Sequence, residues 1–143
     1  SGMLAINLAR FCKKVISYEK NNEFYEIVND NIEKLGIKNI TLKNKDISEV
    51  SENDVEAVFL DMLDPWNYLG KVKEALKPSG YLACYVTNVN QLISITNSLE
   101  DNGFMLVKAA ELIEREWNVD KMRVRPASSM IGHTGFLVIA RKV

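Results

Sequence analysis

The sequence predicts a doubly wound α/β fold, in which a mostly parallel β-sheet carries helices on both faces. Three observations predict this fold: strand patterns alternate with helix patterns, acidic residues follow successive strands, and no helix separates the last two strands. The chain has 143 residues, of which 47% are hydrophobic, so it can bury one sizeable core. We therefore expect one domain over residues 1–143.

The predicted helices and strands alternate along most of the chain. Segments with an apolar period near 3.6 residues are interpreted as helices, and these cover 3–11, 22–35, 68–76 and 91–102. Short apolar runs are interpreted as strands, and these cover 15–18, 40–42, 55–60, 81–86, 104–112 and 134–141. Strand 55–60 is expected to be buried, and Lys-Pro-Ser-Gly at 77–80 is expected to form a turn.

The two ends of the chain refine this prediction. A final pair of strands without an intervening helix indicates an antiparallel hairpin at one sheet edge, which is typical of the methyltransferase version of the fold rather than the dehydrogenase version. Such a domain begins with a strand that leads into a glycine-rich loop, whereas Ser1-Gly2 stands directly at a helix start. We therefore expect the first strand to belong to an upstream segment of a longer polypeptide.

Charge and cysteine content exclude several classes of protein. The net charge is −1, so no overall basic field indicates a nucleic-acid partner. Residues 108–143 nevertheless carry seven Lys or Arg against four acids, so an anionic partner would bind this C-terminal segment. Cys12 and Cys84 are interpreted as core thiols, and with a single histidine no metal site is predicted. No membrane span or signal peptide is visible, and a cytoplasmic location is expected.

Several acidic residues follow predicted strands, at the edge where open α/β sheets bind ligands. Glu19 suits ribose hydroxyls, and Asp46 with Ile47 suits an adenine amino group beside an apolar wall. The alternatives are a helix-capping Glu19 and an ordinary turn aspartate at 46. Together with Asp61 and the helix start at Ser1-Gly2, these positions indicate an adenosine-containing cofactor, either NAD or S-adenosylmethionine.

The segment Phe59–Trp66, FLDMLDPW, resembles the fourth motif of bacterial and archaeal tRNA (adenine-N1)-methyltransferases, in which a strand ends in Asp and Pro-Trp follows a short spacer. The resemblance extends to three further segments, which are Val15–Glu19, Cys84–Asn88 followed by Gln91, and Arg125-Pro126 followed by Gly132–Leu137. Thr87 and Gly135 depart from the residues usual in the family. The family's N-terminal β-domain and glycine-rich first motif have no counterpart beyond Ser1-Gly2.

The resemblance implies a class I S-adenosylmethionine-dependent methyltransferase that modifies N1 of adenosine 58, and in some relatives 57, in the tRNA T-loop. It also implies S-adenosylhomocysteine as product, tRNA as partner and a homotetramer. The candidate cofactor contacts are Ser1, Gly2, Met3, Glu19, Lys20, Asp46, Ile47 and Asp61. The candidate substrate contacts are Pro65, Trp66, Tyr85, Asn88, Arg125 and His133.

Asp61 is the candidate catalytic residue. Adenine N1 carries an in-plane lone pair, so methylation needs no base, but the ring becomes cationic as the reaction proceeds. A fixed carboxylate that accepts from the N6 amino group would orient the base and stabilise this charge, an effect of ~10²–10³ in rate. The alternative for Asp61 is a helix N-cap, and Asp64 is interpreted as the cap of the helix that begins near Asn67.

Other interpretations of these residues and of the whole chain remain open. Trp66 and Tyr85 could belong to the core, and His133 could form a structural hydrogen bond at a strand start. The protein could be another class I methyltransferase acting on a small, corrinoid-type molecule, or a non-catalytic RNA-binding subunit. A dehydrogenase is least favoured, because no GxGxxG motif is present.

Overall fold

A computed structural model describes residues 1–143. The chain divides into two compact units, Ser1–Ser51 and Glu52–Val143, which we call the N-terminal and C-terminal units. None of the helices combines the length and hydrophobicity that a membrane span requires.

The N-terminal unit pairs two parallel strands beside two helices. Its elements are α1 (Met3–Leu8), β1 (Val15–Tyr18), α2 (Asn22–Lys34), β2 (Ile40–Lys43) and a 3₁₀ turn over Ile47–Glu49. In the parallel pair, Val15 lies opposite Ile40. The small core of this unit consists of Ile6, Val28 and Ile32, and Ile37, Ile40 and Leu42 pack against it.

Local signals explain the bounds of α2. Asn21 caps the helix by accepting a hydrogen bond from the Phe24 backbone N–H at 3.0 Å. Gly36 follows the helix with φ 63°, a left-handed conformation that favours glycine. The predicted core position of Cys12 is wrong, because this residue is exposed in the segment after α1, whereas Cys84 is buried. Burial raises the pKa of the Cys84 thiol to about 12.

The C-terminal unit contains a four-stranded sheet and a separate two-stranded sheet. Its elements are β3 (Val55–Asp61), a 3₁₀ turn (Pro65–Tyr68), α3 (Leu69–Ala75), β4 (Leu76–Val86), α4 (Val89–Leu99), a 3₁₀ turn (Glu100–Asn102), β5 (Phe104–Glu111), β6 (Trp117–Asp120), β7 (Arg123–Pro126) and β8 (Phe136–Lys142). The strand order is β3-β4-β8-β5, with β3 parallel to β4 and the other neighbours antiparallel. The predicted antiparallel edge pair is therefore confirmed.

Three details of this unit differ from the sequence prediction. Strand β3 is not buried along its length, because it is an edge strand of its sheet and only Leu60 is fully covered. Residues 77–80 are assigned within β4 rather than to a separate turn, and they form an irregularity where the register jumps between Val55 and Ala57. The hairpin β6–β7 lies in a segment for which no strands were predicted.

The core of the C-terminal unit fixes the strand ends that carry its polar residues. Alternate side chains of β4 are buried, as expected for a strand with one covered face. The residues of this unit with no more than 2% exposure include Leu69, Leu82, Ile95, Leu99, Phe104 and Val138. Because α3, α4 and the sheet share this core, the loops between them start and end at fixed positions.

Candidate functional site

Glu19 lies directly after β1, as predicted. Its backbone N–H donates to the Lys43 carbonyl at 3.0 Å and so continues the pairing with β2. One carboxylate oxygen accepts a hydrogen bond from the Asn21 backbone N–H at 2.9 Å. Glu19 therefore supports the start of α2, and its second carboxylate oxygen remains available to a ligand.

Asp46 lies after β2, and both oxygens of its carboxylate contact other residues of the chain. Its carboxylate accepts from the Ser48 backbone N–H at 2.9 Å and, together with Glu49, forms a capping box. Lys20 places its Nζ atom 3.4 Å from the other carboxylate oxygen. The hydrogen bond from Ser48, aided by Lys20, holds the pKa of Asp46 below its ordinary value. Ile47 is half-buried beside it.

The chain start is shaped by tight packing rather than by a long loop. Gly2 has φ 70°, and a Cβ added there would lie 2.6 Å from Cγ1 of Val28. The Ser1 carbonyl accepts a hydrogen bond from the Asn31 side chain at 3.1 Å. Met3 begins α1 with 53% of its surface exposed. Only glycine fits at position 2, so this residue has a packing role whatever else it does.

Asp61 is the last residue of β3, and Tyr85 is its register partner on β4. Adjacent strands lie about 4.8 Å apart, so the two side chains leave the sheet as neighbours. Asp61 is exposed, and its carboxylate forms no hydrogen bond or ion pair within the chain. The structure thus brings the predicted catalytic carboxylate next to a predicted base-contacting aromatic residue.

The loop after Asp61 leads into a 3₁₀ turn whose first residue is Pro65. Pro65 is fully buried, so it shapes the loop and offers little surface to a substrate. Asp64 occupies the predicted capping position, but its carboxylate does not bind a backbone N–H. It accepts instead from the Asn67 side-chain amide at 2.8 Å. Trp66 is half-buried, which leaves part of its ring exposed.

The turn between β4 and α4, formed by Thr87 and Asn88, is organised by Gln91. Asn88 caps α4 by accepting from the Gln91 backbone N–H at 2.9 Å. The Gln91 side-chain oxygen accepts from the backbone N–H groups of Thr87 and Asn88 and from the Thr87 hydroxyl. Its amide nitrogen donates to the Leu63 carbonyl at 2.7 Å. Gln91, which is 7% exposed, thereby ties this turn to the loop after Asp61.

Sequence reasoning did not identify Gln91 as a site residue. The Asn-x-x-Gln pattern at 88–91 is a capping-box signature and could have indicated the reciprocal bonds within the turn. The bond to Leu63 joins residues 28 positions apart, and no local pattern encodes it.

His133 lies in the loop 131–135, which approaches the ends of β4 and β5. Its Nδ1 atom is 2.6 Å from Oε1 of Glu111, and its Nε2 atom is 2.7 Å from the Thr87 carbonyl oxygen. The next residue, Thr134, donates its backbone N–H to Glu111 and accepts from the Tyr85 hydroxyl at 3.2 Å. Both imidazole nitrogens are therefore engaged within the protein.

Gly135 accommodates the aromatic ring of Tyr85. A Cβ added at position 135 would overlap the phenol ring, so an alanine there would displace Tyr85. This overlap gives a physical reason for glycine at a position where the sequence departs from the usual family residue.

Arg125 belongs to the separate β6–β7 sheet. On this hairpin, Arg125 lies opposite Asn118 and Arg123 lies opposite Asp120, so the two arginines share one face. The other face carries Trp117, Val119, Val124 and Pro126, and the first three are 56%, 72% and 59% exposed. The hairpin is thus an exposed ribbon with one cationic and one apolar face.

The sequence between residues 4 and 125 matches the family model described as the tRNA methyltransferase complex GCD14 subunit. The tRNA (adenine(57)-N(1)/adenine(58)-N(1))-methyltransferase TrmI of Methanocaldococcus jannaschii is 37% identical over 108 residues. This match covers 74% of the present chain and 38% of that relative, so the chain spans well under half of the relative's length.

Two solved structures share the fold over the whole of this chain. A SAM-dependent O-methyltransferase from Thermotoga maritima has a TM-score of 0.93 and 37% identity, and the match covers 56% of that chain. The tRNA (m1A58) methyltransferase TrmI from Aquifex aeolicus has a TM-score of 0.90 and 30% identity, with 59% of that chain covered. These likenesses confirm the predicted class I S-adenosylmethionine-dependent methyltransferase fold.

Proposed function

Because the chain belongs to the family of GCD14 subunits of the tRNA methyltransferase complex, we propose that the protein methylates N1 of an adenosine in the tRNA T-loop. The methyl donor is S-adenosylmethionine, and the target is position 58, with position 57 as the second candidate. The observation that carries the proposal is the unpartnered carboxylate of Asp61 beside Tyr85 at the ends of β3 and β4.

The N-terminal unit offers groups that suit the adenosine part of the cofactor. Glu19 keeps one carboxylate oxygen for a ribose hydroxyl, and a charged acceptor makes this hydrogen bond a strong one. Asp46, Ile47 and Lys20 line the end of β2, where a polar edge and an apolar side chain suit an adenine ring. Ser1, Gly2 and Met3 form the start of α1 in the same unit. When bound, S-adenosylmethionine supplies the electrophilic methyl group and is released as S-adenosylhomocysteine.

Asp61 would hold the target base and stabilise its developing charge. Its carboxylate accepts a hydrogen bond from the N6 amino group, which fixes the Watson–Crick edge and leaves N1 free to attack. As positive charge spreads over the ring, the negative charge of Asp61 becomes more favourable than it was in the ground state. No proton has to be removed before N1 attacks the methyl group.

Two residues of the C-terminal unit supply exposed aromatic surface: Tyr85, the register partner of Asp61, and Trp66, in the 3₁₀ turn that follows β3. Tyr85 is 38% exposed, and its hydroxyl is held by the Thr134 carbonyl, so its ring orientation is fixed. N1 of adenine is paired or stacked in folded RNA, so the base must turn out of its stack before it reacts. A fixed aromatic ring can stack on the extruded base. The Asn88 amide nitrogen, which the helix cap does not use, is a further candidate donor.

The β6–β7 hairpin supports contacts with tRNA and with further copies of the chain. Arg125 and Arg123 suit phosphate groups, because guanidinium binds them in a bidentate manner. A two-stranded hairpin alone is marginally stable in water, so its exposed apolar face favours burial against another subunit. A homotetramer is the assembly we propose, and tRNA as substrate is consistent with a cytoplasmic enzyme.

One alternative has an observation of its own. The Thermotoga maritima structure is described as an O-methyltransferase, and its fold matches this chain with a TM-score of 0.93. A hydroxyl substrate must lose a proton, so in that case the unpartnered Asp61 carboxylate would act as a general base. The product therefore distinguishes the two functions: 1-methyladenosine indicates N-methylation, and a methyl ether indicates O-methylation.

The direct test incubates the full-length protein with an unmodified tRNA transcript and labelled S-adenosylmethionine, followed by nucleoside analysis and mapping. We expect 1-methyladenosine at position 58, and no label at that position when it is changed to guanosine. Label on a ribose oxygen would favour the alternative reaction. No methylated adenosine in the T-loop would contradict the proposal.

A further inference from the structure

His133 donates to two acceptors that cannot donate in return. The Thr87 carbonyl oxygen and the ionised Glu111 carboxylate accept hydrogen bonds only, and they lie 2.7 and 2.6 Å from Nε2 and Nδ1. A neutral imidazole carries one N–H and can satisfy only one of them. Both contacts are made together only when His133 is the imidazolium, with a proton on each nitrogen.

The groups around the ring favour this charged form. Glu111 of β5 is the carboxylate in contact, and Tyr85 of β4 contributes the only other titratable group joined to this loop, a phenol bound to Thr134. On the β8 side, Phe136 places its ring centroid 5.1 Å from that of the imidazole. The hydrogen bond to Thr87 and the contact with Glu111 raise the pKa of His133. The same cluster, chiefly the Thr134 backbone N–H, lowers the pKa of Glu111.

The contacts of His133 reach the residues around the candidate catalytic carboxylate. His133 binds the carbonyl of Thr87, whose backbone N–H is bound by Gln91. Gln91 in turn binds the carbonyl of Leu63, two residues after Asp61. On the other side of the 131–135 loop, the Thr134 carbonyl oxygen accepts a hydrogen bond from the Tyr85 hydroxyl. One chain of hydrogen bonds thus links the 131–135 loop, the β4–α4 turn and the loop after Asp61.

We propose that His133 acts as a positively charged positioning residue, which fastens the 131–135 loop to the end of β4 and holds Tyr85 and the β4–α4 turn in the arrangement that receives the target base. This inference rests on the proposed function. His133 then touches neither the base nor the phosphates in its main role, because both of its nitrogens are used within the protein.

The pH dependence of this arrangement has a defined sign. A histidine whose pKa is raised in the folded chain contributes fully below its ordinary pKa of about 6.5, and the contribution is lost as pH rises through the raised value. Loss of one proton removes one of the two hydrogen bonds. The expected loss in kcat/KM for tRNA is on the order of tenfold, the factor for one hydrogen bond to a charged group.

The first measurement is a titration of the imidazole by NMR in the full-length protein labelled with ¹⁵N-histidine. If the full-length chain contains other histidines, the His133→Gln variant identifies the signal of His133. We expect His133 to lose its second proton at a pH above its ordinary pKa of about 6.5, so that both ring nitrogens are protonated below that pH. Glu111→Gln keeps an oxygen acceptor but removes the charge, so it should shift the His133 titration to lower pH. Glu114→Gln, an exposed position three residues away, is the matched control and should leave the titration unchanged.

The second measurement compares tRNA methylation with S-adenosylmethionine binding across the same pH range. In wild type, kcat/KM for tRNA should fall over the range in which His133 titrates, while cofactor affinity stays constant. Glu111→Gln should move this fall to lower pH together with the NMR titration. Below the pH range in which His133 titrates, His133→Gln should have about tenfold lower kcat/KM than wild type, and it should show no fall linked to the imidazole.

The outcomes separate this inference from the function on which it rests. A His133 that titrates at or below its ordinary pKa, or an active enzyme whose tRNA kinetics do not follow the titration, overturns the positioning role. If the wild type methylates no tRNA at any pH, the proposed function fails and the positioning role fails with it, while the NMR result still decides whether His133 is charged. If His133→Gln does not fold, Glu111→Gln carries the test alone.

Discussion

The carboxylates at the strand ends of the two units differ in what they bind. In the N-terminal unit, Glu19 accepts from the Asn21 backbone and Asp46 is held by Ser48 and Lys20. In the C-terminal unit, Asp61 ends its strand without any partner in the chain. All three follow parallel strands, so position in the fold does not explain the difference.

The role of an acidic residue at a strand end therefore depends on the hydrogen bonds that its carboxylate makes. A carboxylate that accepts from backbone N–H groups stabilises a turn or a helix start, whether or not a ligand later shares it. A carboxylate that is exposed at the end of a strand and makes no internal hydrogen bond can bind a ligand without breaking one. On this basis Asp61 is the residue whose loss should harm turnover most and folding least.

The largest expected effect is that of Asp61→Asn on turnover. The amide keeps the size of the side chain but removes the negative charge, so kcat for tRNA methylation should fall by ~10²–10³ while S-adenosylmethionine still binds. Asp64→Asn is the matched control, since Asp64 contacts only the Asn67 side chain and should change kcat by less than about threefold. Equal losses in cofactor affinity and in kcat would assign Asp61 to cofactor binding instead.

The next largest effect is a loss of stability on removal of the Gln91 side-chain amide, which joins the β4–α4 turn to the loop after Asp61. Gln91→Ala leaves the Thr87 and Asn88 N–H groups and the Leu63 carbonyl without their side-chain partner, at a cost of about 2–3 kcal/mol in unfolding free energy. Asn90→Ala, at an exposed position of the same helix, should cost no more than about 0.5 kcal/mol. Chemical denaturation measures both. Equal costs would show that the Gln91 bonds are not formed in solution.

A smaller effect tests the chain start in the N-terminal unit. Gly2→Ala places a Cβ atom on a residue with a left-handed φ of 70° and against the side chain of Val28. It should therefore lower the unfolding free energy by about 2 kcal/mol. Gly36→Ala has a similar φ of 63° and nothing within 4 Å, and it should cost about 1 kcal/mol. The difference between the two variants, measured by thermal unfolding, isolates the contact with Val28. A cost at Gly36 as large as that at Gly2 would contradict this packing.

The smallest expected effect is the contribution of Asp46 to the loss of stability at acidic pH. Its pKa is lowered in the folded chain, so its contribution to stability is present above its ordinary value of 3.8 and is lost as pH falls through the lowered value. The unfolding free energy of Asp46→Asn should therefore decrease less than that of wild type as pH falls. Asp30→Asn, which removes a carboxylate from an exposed position of α2 without removing a cap, is the matched control. An identical decrease in wild type and in Asp46→Asn would show that the cap does not depend on charge.

Much of the fold was predictable because its signals are local. The bounds of β1 agree with the prediction, and those of β2 differ by one residue, since apolar runs and flanking polar residues define both. Gly36 and Gly103 mark helix ends through their left-handed φ values of 63° and 74°, which the sequence signals by glycine itself. Burial of β3 was not predictable in this way, because it depends on which strands lie beside it.

The candidate site was predictable in its residues but not in its bonds. Asp61 and Tyr85 could be placed at strand ends from the sequence, yet their pairing in register is a property of the sheet. His133 was expected to contact RNA or to form a structural hydrogen bond, and the structure shows both of its nitrogens bound to residues 22 and 46 positions away. Contacts between loops so far apart in sequence arise from tertiary packing and leave no periodic pattern.

Removal of the N6 amino group from the target adenine would show whether Asp61 accepts a hydrogen bond from it. Wild type and Asp61→Asn would be compared by single-turnover methylation of tRNA with adenosine or purine riboside at the target position. We expect the wild type to lose most of its advantage over Asp61→Asn on the purine substrate, because neither enzyme can form the hydrogen bond with it. An unchanged ratio of the two rates on both substrates would contradict it.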